Sequence, residues 1–140
     1  MLISQINGGP LGDLEVIYGA FYNPSASALP KDSIAQLDIT TNVNGLRISQ
    51  PTTAGLTAMV GVVHAAIPAL TSGLVQTYGY RSTCQMLTTD TTIAAGVRLV
   101  AVNAQDYAAS AAAGDTTLIL VESHATSTGS VSKKVFIKCM

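Results

Sequence analysis

Apolar and polar residues alternate along much of this chain with the period of two that a β-strand imposes. In Ser33–Thr41 (SIAQLDITT), Ala35, Leu37, Ile39 and Thr41 share one face, and Ile34, Gln36, Asp38 and Thr40 form a wetter one. Asn44-Gly45 follows closely and is a strong hairpin signal, because both residues tolerate positive φ. Leu46–Gln50 then reads as the return strand, stopped by Pro51. Upstream, Leu14–Tyr22 (LEVIYGAFY) is β-prone and predicts the first strand, and Asn23–Lys31, with two prolines, predicts a loop. Thr57–Ala66 (TAMVGVVHAA) fits a helical face through Ala58, Met59, Val62, Val63 and Ala66. Its adjacent valines and Gly61 favour a buried strand, which is the reading adopted.

The stretch Gly73–Met86 (GLVQTYGYRSTCQM) alternates for an unusual length. Leu74, Gln76, Tyr78, Tyr80, Ser82, Cys84 and Met86 fall on one face, and Val75, Thr77, Gly79, Arg81, Thr83 and Gln85 on the other. Gly79 is expected to mark a bend or bulge. Thr91–Val102 predicts a short strand, a turn at Ala95-Gly96 and another strand. Asn103–Asp115 is alanine-rich and predicts one or two helical turns without an amphipathic stripe. Thr116–Glu122 (TTLILVE) is the clearest core strand. Thr126–Ser132 is a polar turn, and Val131–Cys139 a closing strand. Residues 1–13 are interrupted by Asn7-Gly8-Gly9-Pro10 and Gly12, so they predict an extended arm. The expected architecture is an arm over 1–13 and a single all-β domain over 14–140. About eight to ten strands point to a sandwich or barrel, jelly-roll-like.

Composition changes the picture at the surface. The chain has 140 residues, which fits one domain, but only 11% are charged where about a quarter is usual. Small neutral polar residues must coat it, and one explanation of so little charge is that much of this surface is buried against other subunits. A net charge of −1 supplies no field for nucleic acid or an anionic membrane. The longest apolar run, Leu56–Leu70, is broken by His64 and Pro68 and is shorter than the roughly 20 residues of a membrane span. The start lacks a basic and apolar leader, so a chain made in the cytoplasm and not secreted is expected.

Candidate chemistry is sparse. His64 lies in the apolar run and reads as a packed core or interface residue; His124 reads as solvated at a loop rim. Neither belongs to a set of three or four ligands at zinc spacing. Cys84 and Cys139 fit no metal spacing, and reduced thiols with Cys84 buried are expected. Acids are scattered singly, Asp32 among them; Asp13 and Glu15 read as a wet strand edge. Gly8-Gly9-Pro10 is followed by no lysine, which excludes a phosphate loop. Lys133, Lys134 and Lys138 read as protection of an edge strand. No cofactor, metal, catalytic residue or small-molecule substrate is expected.

Gly73–Met86, then TIAAGVRLV, then TTLILVESHATSTGSVSKKVFIKCM resemble, over Gly73–Met140, the small head decoration or cement proteins of tailed bacteriophages. In those chains a GxVQxYGY-like strand precedes an IAAG turn, and a VFIK-like strand follows a Gly/Ser/Thr turn. The resemblance implies a non-enzymatic, commonly trimeric all-β protein on the capsid surface that clamps neighbouring major capsid protein subunits by complementarity and extended arms. It carries over no catalytic residue. On this reading Ile3, Ile6, Pro10 and Leu11 of the arm, with Tyr78, Tyr80 and Arg81, are the candidate partner contacts. A tail or receptor-binding module that binds host carbohydrate or protein is the second reading, and an enzyme with an unrecognised site the third.

Overall fold

Strand periodicity is realised as twelve strands among the described residues, which in the computed structural model are 4–6, 15–41, 44–52, 58–87, 92–110 and 118–139; for 4–6 the backbone alone is described. They are β1 (Ser4–Ile6), β2 (Val16–Tyr22), β3 (Ile34–Leu37), β4 (Ile48–Ser49), β5 (Met59–Val63), β6 (Ser72–Arg81), β7 (Gln85–Met86), β8 (Arg98–Ala101), β9 (Ala108–Ser110), β10 (Leu118–Leu120), β11 (Val131–Ser132) and β12 (Val135–Lys138). The fold is all-β: one mixed sheet, ordered β11-β7-β9-β8-β10-β12-β6-β5-β3-β4, curls into a half-barrel, and β2 branches from β6 carrying β1. The expected barrel is therefore half closed, from a single continuous sheet. Its ladders are antiparallel except the parallel pair β7–β9.

Strand β6 organises the molecule. Along one edge it pairs with β2, from Tyr22↔Ser72 to Ile17↔Tyr78. Along the other it pairs with β5 at Val75 and Gln76, and with β12 from Tyr78 to Arg81. The exchange of neighbours falls at Thr77, where the β2 register also skips a residue, a β-bulge. Gly79 sits two residues on, at φ +101°, and a Cβ there would fall on the Glu15 carbonyl oxygen. The expected distortion is present, and glycine is what lets β2 approach so closely.

Two hydrophobic clusters form around this strand. The larger joins Ile34, Met59 and Val62 to Met86, Leu99, Leu118, Leu120, Val135 and Ile137, all buried. The smaller gathers Phe21, Leu29, Ala35, Ile48, Val60, Val63, Ile67 and Val75. Strands β3 and β5 contribute to both clusters, so both their faces are dry. This corrects the wetter face expected for Ser33–Thr41 over Ile34–Leu37, where the strand ends; Ile39, Thr40 and Thr41 beyond it are exposed. Gln36 within the strand is buried, and its amide bonds the Thr52 hydroxyl at 2.9 Å while accepting the Thr52 N–H at 2.9 Å.

Three further expectations change. Part of the alanine-rich segment is strand, because Ala108–Ser110 finds ladders on both sides, to β8 and β7, and short isolated helices are weak competitors. Residues 111–117 lie outside the described residues. The closing strand is two: β11 pairs with β7, and β12 with β10 and β6, with Lys133-Lys134 at the corner between them. Strand β12 is thus interior to the sheet, and the lysines are not edge protection. Lys133 Nζ donates to the Ser123 carbonyl at 3.2 Å, while the Lys134 N–H donates to Glu122 Oε1 at 3.0 Å. The thirteen-residue arm contributes Ser4–Ile6, which pairs with Val16–Tyr18 of its own chain.

Candidate functional site

The described polar groups concentrate beside the C-terminal end of β6. Arg81, its last residue, faces the same side as Val135 across the ladder and is only 7% exposed. Its Nη2 forms an ion pair with Asp32 Oδ1 and donates to the Val63 carbonyl at 3.0 Å. Its Nε donates to the Thr83 carbonyl at 2.7 Å, and its Nη1 to Gln76 Oε1 at 3.2 Å. Asp32 Oδ1 also accepts the Thr83 hydroxyl at 2.8 Å. The Gln76 amide in turn donates to the Tyr80 carbonyl at 2.9 Å. Asp32 has φ +65°, a conformation its short side chain tolerates. Its backbone is held by the Val63 carbonyl at 2.9 Å and the Gln85 N–H at 3.0 Å. The network ties the loop before β3 to the ends of β5 and β6 and to the start of β7.

Above Arg81 lies a hollow of about 460 Å³, lined by Tyr18, Lys31, His64, Tyr80 and Ser82 around a floor of Gln76 and Arg81. His64 stands edge-on to Tyr18, ring centroids 4.9 Å apart at 73°. A second hollow, about 270 Å³, is apolar and lies between Ile17 and Phe21 of β2 and Leu37, Met59 and Val60.

The two histidines exchange their expected environments. His64, expected to be packed, is exposed, because β5 ends at Val63 and the chain turns out of the sheet. His124, expected to be solvated, is 2% exposed, because its backbone bridges to Ile93 in both directions and draws the residue inward. Its Nε2 is buried without a hydrogen-bond partner among the described residues. Burial, and secondarily the Lys133 charge, lower its pKa below the ordinary 6.5. The unfolded chain therefore takes up a proton near pH 6.5 that the folded chain resists, so this group leaves stability intact above that pH and erodes it as pH falls below. Urea midpoints measured between pH 8 and pH 5 are expected to fall in that window. The slope flattens in His124→Gln; equal slopes in both proteins would refute the assignment.

Cys84 is buried as expected and Cys139 half-buried, and burial pushes each thiol's pKa up to about 12. The thiolate is scarce at neutral pH, so neither is poised as a nucleophile. Among the described residues no three His, Cys, Asp or Glu side chains gather in a way that could hold a metal ion.

The structure separates the sequence candidates. Ile3, Pro10 and Leu11 lie outside the described residues. Ile6 is in β1, its backbone opposite Val16. Tyr78 and Tyr80 are half-buried on the outer face, where Tyr78 meets Phe136 edge-on at 5.5 Å and Tyr80 pairs across the ladder with Phe136. Arg81, expected at an interface or rim, is 7% exposed and ion-paired with Asp32 of its own chain, with the polar hollow above it. The bulge at Thr77 shifts the side-chain parity by one and puts Arg81 on the same side as Gln76, whereas strict alternation put them on opposite faces. Asp32, Gln76 and Thr83 carry no local signal of this role in the sequence; the sole hint is the charged Arg81 inside a long strand. Protein-family models give no match to this chain, and neither do curated protein sequences.

Proposed function

We propose that this chain is a non-enzymatic virion structural protein, a decoration or cement protein that lies on the outer surface of a phage head as a homotrimer and clamps neighbouring major capsid protein subunits. The observation that carries this reading is the surface. Only 11% of residues are charged, yet Leu70 is 63% exposed, and Ile39, Leu46, Leu74 and Val121 are also open to solvent. Ile39 and Leu46 stand on the connection between β3 and β4, Leu70 on the turn into β6, and Leu74 near the start of that strand. Leu70 is held at φ +56°, a conformation that costs a branched side chain about 1–3 kcal/mol, so the turn itself fixes that leucine outward. Apolar side chains set in a low-charge surface suit close packing against protein. The resemblance of Gly73–Met140 to head decoration proteins supports the same reading. Strand β1, paired over three residues among those described, suits an arm that can lie on a neighbour's sheet edge.

The polar hollow with its two tyrosines favours a second reading, a tail or receptor-binding module. Quantitative mass spectrometry of purified particles separates the two. Near parity with the major shell protein, or a simple fraction of it, is expected, together with loss of particle heat resistance when the chain is absent. A handful of copies moves the chain to the tail, and absence from the particle overturns both readings.

A further inference from the structure

We propose that the polar hollow beside the end of β6 is a receptor for a carboxylate, the aspartate or glutamate side chain of a partner protein. That the ligand belongs to a protein rests on the reading above; that it is an anion rests on the hollow alone. Lys31, His64 and Arg81 bring nitrogen groups to its lining, Tyr18, Tyr80 and Ser82 bring hydroxyls, and among the described residues no carboxylate lines it. The one acid beneath, Asp32, is engaged by Arg81 and by the Thr83 hydroxyl. With Arg81 and Asp32 neutralising each other, the Lys31 ammonium remains as the uncompensated charge among the described residues that line the hollow.

The floor adds a second, independent feature. Arg81 Nη1 carries two N–H groups and makes one hydrogen bond among the described residues, to Gln76 Oε1. A guanidinium with side-chain exposure of 6% thus lines the hollow with a donor to spare. A donor of this kind, fixed by Thr83 and Val63 behind it, needs no reorganisation to receive an anion, and charge-assisted bonds to carboxylate are among the stronger ones. The volume, about 460 Å³, lies within the range of ligand sites and exceeds what a single ion fills. The rim residues Lys31, His64, Ala65 and Ser82 are all exposed, so the ligand enters from outside, as a side chain on an apposed surface does. Tyr18 and the imidazole of His64 make one wall, against which the methylenes of a glutamate can lie.

The test uses the full chain and NMR titration with N-acetyl-glutamate amide, its glutamine counterpart, inorganic phosphate and N-acetylneuraminic acid. The expected result is saturable shifts for the glutamate compound at Lys31, His64 and Tyr80, none for glutamine, and at least about tenfold weaker binding in Lys31→Met/His64→Gln, whose substituted side chains are exposed. Equal shifts with glutamine, or unchanged binding in the double variant, overturn the proposal. Phosphate binding without glutamate binding overturns the carboxylate, and tighter binding of the acidic sugar overturns the protein source in favour of a glycan. Failure of all four probes, with the chain still present near parity on the head, overturns the hollow while leaving the cement reading standing.

Discussion

Arg81→Met is expected to lower folding stability by about 3–5 kcal/mol, because it removes one partner of a buried ion pair and leaves the other charge in place. The Asp32 carboxylate would keep the Thr83 hydroxyl, but Gln76 Oε1 and the Val63 and Thr83 carbonyls would each lose a donor. Methionine fills much of the volume, so the loss reports desolvated polar groups rather than a cavity. The companion variant Asp32→Asn keeps a residue that tolerates the left-handed backbone at this position. Combining the two should cost less than the sum of the single changes, by about 0.5–3 kcal/mol, since the second substitution removes the charge the first exposed. Urea unfolding of the four proteins measures this directly. A single-variant loss under about 1 kcal/mol would mean that the pair is a solvated surface contact and not a latch.

Gly61→Ala is expected to be at least as damaging, about 3 kcal/mol or more, or to prevent folding. A Cβ at this position would land on the Gln76 carbonyl oxygen and within 3.1 Å of Val75 Cγ1, on the strand that pairs with β5. Neither neighbour can yield: Val75 is fully buried, and Gln76 is fixed by its bonds to Arg81 and Tyr80. Gly129→Ala supplies the control, since nothing among the described residues lies within 4 Å of its added methyl group, and its effect should stay within about 0.5 kcal/mol. Thermal melts followed by circular dichroism compare the two. Equal melting temperatures would show that β5 and β6 are less closely apposed than described.

Alternation and turn chemistry were enough to read most strands. Val16–Tyr22, Met59–Val63 and Leu118–Leu120 are local patterns whose apolar residues are wanted on the side where the sheet buries them, whereas Asn44-Gly45 lies off the centre of a ten-residue connection between β3 and β4 and is not their tight turn. What alternation does not carry is the count across an irregularity. One skipped residue at Thr77 reverses the facing of everything after it, which is why Tyr78 and Tyr80 are outside and Arg81 inside. The alanine-rich segment failed for a different reason: its local preference is weak, and Ala108–Ser110 is decided by β7 and β8, distant in sequence. The polar network was the least legible part. Asp32 and Arg81 are 49 residues apart, and neither has a neighbour that marks it. His64 and His124 show the same limit, since an apolar run does not reveal where its strand stops, nor a polar loop which backbone it is bonded to.

The exchange of neighbours along β6 bears on how the molecule comes apart. The smaller cluster needs Val75 of the N-terminal half of this strand, and the larger cluster closes over Val135 and Ile137, which its C-terminal half holds through the ladder. Two cores that hang from one continuous strand have no seam between them. Fraying either one frees the strand that the other requires, and so the chain loses both together, as a single cooperative unit with no half-folded refuge.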